Sequence, residues 1–289
     1  MFVIYSLNIG KVMLHWLKTP QSPIVAQYIE CYWTIEKTAK TNLNDFPKLN
    51  PDPATHLVLS PSEQPFIYKV DDTAITGKGS HWLYPHRNTF QLDHSQPFIH
   101  LGIKFRTGAL YSLTLPNYEH PTLDDVHELK NNIPIQQQDI SNLIEMAKNN
   151  VDMCCQNLDE LLIPWLTKSK QDRHSELVKK ALSLLDSVAI NELSEKLFCS
   201  QRTLERSFIR VTGLTLKQCQ SMNKLEVILE YLYQRDADDI DWAEIAVMFG
   251  FSDQPHLIRY LKNQLGLTPK TYEKERGLTI DVYGGIDSF

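Results

Sequence analysis

The sequence predicts an α+β chain. A small N-terminal β-barrel or sandwich with flanking helices precedes a C-terminal all-α domain of two tandem helix-turn-helix units joined by a long linker helix. Three observations predict it. Short β-prone runs separated by turn residues fill the first third of the chain. Apolar residues at helical spacing take over from Asp124. One C-terminal pattern then occurs twice, 53 positions apart (257 − 204). The expected divisions are a β-rich domain over 1–167, a linker over 168–176, a helical domain over 177–276 and a tail over 277–289.

In order along the chain, Val3-Ile4-Tyr5 reads as a strand and Val12 to Leu17 as a short strand or helix. Val25, Tyr28 and Ile29 stand at helical spacing before the β-prone run Tyr32 to Ile35. A turn-rich stretch, Thr41 to Pro53, follows. Strands are expected at His56–Leu59, Phe66–Tyr68, Trp82–Tyr84, Phe90–Leu92 and Phe98–Phe105, spaced as in a small barrel or sandwich. Asp139 to Lys148 and Asn157 to Thr167 read as two amphipathic helices, which either cover the β domain or pair across a dimer axis. Polar Lys168 to Glu176 reads as the linker, and helical periodicity resumes at Leu177.

The most informative stretch is Trp242 to Tyr272. Asp241, with Glu244 three residues on, makes a capping box that starts a helix with Ile245, Ala246 and Phe249 on its apolar face. Gly250 supplies the left-handed residue that ends it, and Ser252 stands where an N-cap oxygen would start the next helix. Pro255 falls within that helix's first turn, where its missing N–H costs nothing. Leu257, Ile258 and Leu261 face inward, leaving hydrogen-bonding and basic side chains outside. The upstream copy, Ile190 to Gln218, repeats this: Leu204 matches Leu257, Arg206 matches Arg259, Phe208 matches Leu261 and Gly213 matches Gly266. Ser200 and Ser252 are 52 apart, so the turn regions differ by one residue. Lys217 to Tyr233 between the copies reads as one helix, long enough to set two recognition helices in successive major-groove turns.

Two such units, with the ending Gly266-Leu267-Thr268-Pro269-Lys270, resemble the DNA-binding domain of AraC/XylS-type transcription regulators over roughly Leu177 to Glu275. The runs YIECYWTIE, PDPATHLVLS and FIHLGIKFRTGALYSL resemble the β-rich N-terminal domain of one branch of that family. The resemblance implies a sequence-specific transcription regulator that binds duplex DNA, with an N-terminal domain that binds a small-molecule effector, dimerises, or both. It leaves RNA polymerase open as a further partner. The sequence departs from the family pattern at Leu216, where proline is usual, at Cys219, where an aromatic is, and at Ile228, where a small residue is.

For base reading, the upstream helix offers Gln201, Arg202, Thr203, Arg206 and Arg210, and the downstream helix offers Gln254 and His256. Arg206 and Arg259 occupy matching positions, where the family pattern keeps an arginine beside the core that braces the fold or contacts phosphate. Lys262 adds charge to the same side, and Thr215, Thr268 and Lys270 read as phosphate contacts near helix starts. Trp33, Trp82, Tyr84 and Phe98 are candidates for an apolar effector pocket, against the plainer reading that they are core.

Charge complicates this reading. The net charge is −6, and residues 170–289 hold 16 Lys+Arg against 18 Asp+Glu. The bases concentrate on the proposed DNA side while acids cluster at Asp236, Asp238, Asp239 and Asp241. Local arrangement outweighs the sum at a Debye length of about 8–10 Å. The balance keeps open an alternative in which the chain is a protein-interaction adaptor with degenerate DNA binding. A barrel enzyme with a DNA-binding appendage is the third alternative.

No catalytic residue, metal or cofactor is expected. His56, His81, His86, His94 and His100 show no His-x-His and no metal-ligand spacing, and are read as scattered core or surface histidines. The five cysteines form no CxxC pair and suit a reducing cytoplasm. No signal peptide or membrane span is read, so a cytoplasmic protein is expected.

Overall fold

The computed structural model describes residues 13–39, 45–113, 115, 121–130, 133–233, 240–266 and 279–280. Val3-Ile4-Tyr5, Thr268 and Lys270 lie outside them. The N-terminal part is a sandwich of two sheets that do not close into a barrel. One is six-stranded: β1 (Met13–Lys18), β2 (Ile29–Lys37), β9 (Phe98–Phe105), β4 (His56–Leu59), β7 (His81–Leu83) and β10 (Val126–Glu128), in that spatial order and antiparallel throughout. The other runs β11 (Thr279–Ile280), β3 (Lys48–Leu49), β8 (Phe90–Leu92), β5 (Pro65–Val70) and β6 (Thr73–Lys78).

The strands expected between His56 and Phe105 are present, and the helical spacing of Val25, Tyr28 and Ile29 yields only one 3-10 turn before β2. The reason is tertiary. Ile29 pairs with Phe105 of β9, and a sheet neighbour on each side outweighs three apolar residues at helical intervals. Strands β3, β6, β10 and β11 escape the sequence pattern, β11 falling in the expected tail, where Thr279 and Ile280 pair with Lys48 and Leu49. β3 lies in the turn-rich stretch, and β6 is largely exposed, with no alternating apolar face.

Strand β9 is buried along its whole length, so its two faces serve two cores. Ile99, Leu101, Ile103 and Phe105 join Leu57, Leu59 and Trp82 against two helices, α1 (Gln137–Asn149) and α2 (Val151–Leu166). Phe98 joins Trp33, Val58, Phe66 and Phe90 between the two sheets. Of the two roles open to α1 and α2, the structure therefore gives coverage of the sheet. Asp159 of α2 fixes the register: its buried carboxylate accepts from the amides of Gln21 and Ser22 and from the Tyr32 hydroxyl. Trp16 Nε1 of β1 donates to the Ala147 carbonyl of α1.

The C-terminal part is helical: α3 (Arg173–Leu182), α4 (Ile190–Lys196), α5 (Gln201–Thr212), α6 (Leu216–Tyr233), α7 (Trp242–Met248) and α8 (Gln254–Leu265). Helix α3 begins inside the expected linker because Asp172 caps it, accepting from the amides of His174 and Ser175. Helix α6 is shared by two cores. Leu216 and Cys219 pack with α3, α4 and α5, while Leu225, Ile228, Leu229 and Leu232 pack with α7 and α8. The departures at Leu216, Cys219 and Ile228 are thus fully accommodated, each being at most 3% exposed. At about 1.5 Å per residue, the 18 residues of α6 span about 27 Å.

Candidate nucleic-acid interface

Each unit presents one helix from a tight turn. In the upstream unit, Ser200 caps α5 by accepting from the Thr203 amide, and Gly213 ends it at φ 76°. In the downstream unit, Asp241 caps α7 and Gly250 follows at φ 68°. The cap of α8 is Asp253 rather than Ser252: its carboxylate accepts from the His256 amide, while Ser252 Oγ meets His256 Nδ1. An ionised acceptor at a helix N-terminus outcompetes a neighbouring hydroxyl. Leu204, Phe208 and Val211 anchor α5, as Leu257, Leu261 and Leu265 anchor α8, so the opposite faces stay open.

The open face of α5 is arginine-rich. Arg202, Thr203, Arg206 and Arg210 line one groove, about 840 Å³ in volume, against α3. Two further bases that the sequence reading assigned to the linker, Arg173 and His174, line the same groove. The signal for them was present in the sequence: Asp172 and Ser175 form a capping box. His174 is set by a hydrogen bond between its Nδ1 and Ser207 Oγ. Gln201 does not join this group. Its amide donates to Glu205 and it lines a separate groove with Asn191, Lys217 and Gln220. Residue Glu205 is thereby paired locally. On α8, Gln254, His256, Arg259 and Lys262 are exposed. Thr215 closes the start of α6, accepting from the Gln218 amide and donating to its side chain.

The upstream turn is strained where the downstream one is not. Phe198 sits at φ 53°, 52 positions before Gly250, and is 97% exposed. A β-carbon in the left-handed region costs about 1–2 kcal/mol, and no packing compensates here. Phe198→Gly is expected to raise stability by about 0.5–1 kcal/mol, less than the full strain because glycine also frees the unfolded chain. Urea unfolding checks it. A lowered midpoint would mean that the ring has a contact in solution.

The β-rich domain holds both units. Lys104 Nζ of β9 lies 3.1 Å from Glu30, 3.3 Å from Glu226 of α6 and 3.9 Å from Asp52, with only 3% of its side chain exposed. Burial pushes the Asp52 carboxyl up, but Lys104 and His56 outweigh burial and hold it well below the usual carboxylate range. Tyr111 donates to Asp172 and accepts from Arg210 Nε at 2.9 Å. Thr89 donates to the Gln264 carbonyl near the end of α8.

The aromatic quartet proposed for an effector pocket is not one pocket. Trp82 and Tyr84 belong to the helix-facing core, Trp33 and Phe98 to the core between the sheets. Alternation along strands sends them to opposite sides of one sheet. The histidines are not scattered either. The rings of His81 and His94 lie 6.0 and 6.4 Å from that of His100. His56 and His86 sit near Asp52. Among the described residues no group of three His, Cys, Asp or Glu could hold a metal ion. No described helix is long and apolar enough to cross a membrane.

Residues 193–275 match the family model of a helix-turn-helix domain, and residues 18–119 match that of a domain of unknown function (DUF6597). No curated protein matches the chain. Among solved structures, apo ToxT from Vibrio cholerae strain SCE256 is 11% identical, covering 85% of this chain and 97% of its own, at a TM-score of 0.49. The DNA-binding domain of AdpA, solved with a target DNA, is 26% identical over 36% of this chain and 92% of its own, at 0.28. The AraC-like activator CuxR is 9% identical over 77% and 91%, at 0.25. The chain carries an AraC-type helix-turn-helix domain, the kind found in DNA-binding transcription regulators, behind a β-rich N-terminal domain.

Proposed function

We propose that this regulator reads duplex DNA with α5 and α8 in successive major-groove turns, as a cytoplasmic homodimer, and that its β-rich domain sets the freedom of the two reading units. The functional divide falls at 168–176, between a sensing part over 1–167 and a DNA-binding part over 177–276, with 277–289 as a tail. The observation that carries the reading is the hold of one domain on both units, through Lys104–Glu226, Tyr111–Arg210 and Thr89–Gln264. Arg210 is the telling case, since a side chain on the basic face of α5 is engaged by the N-terminal domain. A small-molecule effector acts here only by preferring one arrangement of the units over another. On α5, Arg202, Thr203 and Arg206 read bases or phosphates, with Arg173 and His174 flanking them. On α8, Gln254 and His256 read bases, while Arg259 and Lys262 meet phosphates. Gln201, from its separate groove, adds a base or phosphate contact, and Thr215, Thr268 and Lys270 add phosphate contacts. RNA polymerase is the partner through which such a regulator would act on transcription.

Selection from a random duplex library, titrated at two salt concentrations, tests it. Two half-elements about one helical turn apart, bound less tightly as salt rises, are expected. Arg202→Ala should cost roughly 1–3 kcal/mol on the selected site and relax one base position. A single enriched element would restrict reading to α8. No enrichment by the full chain would favour the adaptor reading, which the 16-to-18 balance of bases and acids supports.

The hold itself is tested by Glu226→Gln, which removes the α6 charge facing Lys104. DNA affinity of the full chain should rise about fivefold or more, the scale of ordinary coupling between sites. Unchanged or weaker binding would mean that the Lys104 contact does not oppose DNA engagement.

A further inference from the structure

A cavity of about 200 Å³ opens between β5, the turn after β8 and the start of β9. Its walls include Phe66, Phe98 and two imidazoles, His94 and His100, each only 5% exposed. Gln64 is locked against Ile99 by two hydrogen bonds, its amide nitrogen donating to the carbonyl and its oxygen accepting from the amide. That orientation turns a donor toward His100 Nδ1 at 3.3 Å, and the same nitrogen meets the Ser60 hydroxyl at 2.7 Å. The His94 ring lies 4.2 Å from that of Phe98, and among the described residues its nitrogens make no hydrogen bond. No lysine or arginine lines the cavity. Its one charged wall is Asp93, which burial pushes up but whose bonds to Ser95 hold below the usual range.

We propose that this cavity binds a small uncharged aromatic molecule, a single ring carrying a hydrogen-bonding edge, and that β9 passes its occupancy to the Lys104–Glu226 contact. The size admits one ring and little more, because drug-sized ligands take pockets of about 300–1,000 Å³. Stacking surfaces come from Phe66, Phe98 and His94, and neutral imidazoles offer a donor or an acceptor at its edge. Anions are disfavoured because they would meet Asp93 in the wall, while the nearby Lys37 is held by Asp45 and the His94 carbonyl and does not line the cavity. The route to the other domain is short. Phe98, His100, Gly102 and Lys104 alternate onto one face of β9. Trp33 rests on Gly102, its Nε1 points to His56, and His56 bonds Asp52 beside Lys104. A ring that moves Phe98 or His100 shifts the strand that carries Lys104.

This inference rests on the regulator reading for its second half, so binding and DNA affinity are measured separately on the full chain. The probes are phenol, benzamide and indole, with benzoate and inorganic phosphate as charged controls. Saturable binding of an uncharged ring is expected, seen as a raised melting temperature and in ligand-observed NMR. His94→Phe, which keeps the stacked ring and removes its nitrogens, should weaken that binding about tenfold. Ser95→Trp should block the mouth without touching the core. Bound ring should change DNA affinity in the wild type and not in His94→Phe. Equal binding of the charged controls overturns the ligand class. Ring binding unaltered in both variants overturns the site, as does no ring binding at millimolar concentration. Rings that bind without moving DNA affinity overturn the coupling. A chain that binds rings but enriches no DNA leaves the site standing and removes the regulator reading.

Discussion

Moving the protein from pH 7 to pH 5 is expected to cost about 4 kcal/mol of folding stability through His81 and His94 alone. Burial is the first cause in both. It pushes the His81 imidazole down to about 4 and that of His94 down to about 3, the latter aided by Lys37. The bond from His81 Nδ1 to the Gly79 carbonyl acts the other way but does not overcome burial, and Nε2 pairs with the Tyr68 hydroxyl. In the unfolded chain the same rings titrate near 6.5. Between about pH 6.5 and pH 4 the unfolded state therefore binds the extra protons, and stability falls as pH falls through that window. Each ring contributes about 2 kcal/mol by pH 5. His100 acts in the same direction, since burial holds it well below its ordinary value. A domain stabilised by about 5–15 kcal/mol would be visibly weakened. Urea unfolding at pH 7, 6 and 5 reads the slope directly, and His94→Phe should flatten it. A midpoint that stays constant from pH 7 to pH 5 would show that water reaches these rings.

The second large effect is expected at Gly102. A β-carbon there would lie 1.7 Å from Trp33 Cε2 and 2.0 Å from its Cζ2, far inside contact distance. Trp33 cannot retreat easily, being wholly buried between the sheets. Gly102 is also central, paired with Trp33 of β2 on one side and Val58 of β4 on the other. Gly102→Ala should therefore cost about 3 kcal/mol or more, at the upper end for overpacked cores. Thermal unfolding of the variant provides the measurement. Adding Trp33→Leu should recover part of the loss, because the two changes share one contact. A Gly102→Ala protein as stable as wild type would mean that the strand pair can part without cost.

The C-terminal domain was largely legible because its signals are local. Caps, turn glycines and apolar spacing at Asp241, Gly250 and Leu257 act within a few residues, and a repeat at fixed separation doubles each of them. The β-rich half was legible as strands but not as sites. Nothing in the order His81, His94, His100 says that three separate segments deliver them to one cluster, because strand pairing and not sequence spacing brings them there. The same limit misled the choice of Trp33, Trp82, Tyr84 and Phe98, whose aromatic character was read without knowing which sheet face each occupies. Ser252 against Asp253 was a nearer miss, decided by which of two adjacent acceptors reaches the free amide. Lys104 gave no signal at all, since its partners Glu30, Asp52 and Glu226 are spread over most of the chain.

The dependence of the central sheet on Asp159 bears on how the chain matures during synthesis. The amides of Gln21 and Ser22 are among the early parts of the domain to leave the ribosome, yet their acceptor follows more than a hundred residues later. Until then one wall of the sheet, with Leu57, Leu59, Leu101 and Ile103, has no cover. Non-local closure of this kind is slow and leaves apolar surface open to other chains. The local helical hairpins that follow need no such wait. A newly made molecule is thus exposed to chaperones chiefly through its β-rich half, whose closure would limit how quickly folded protein accumulates.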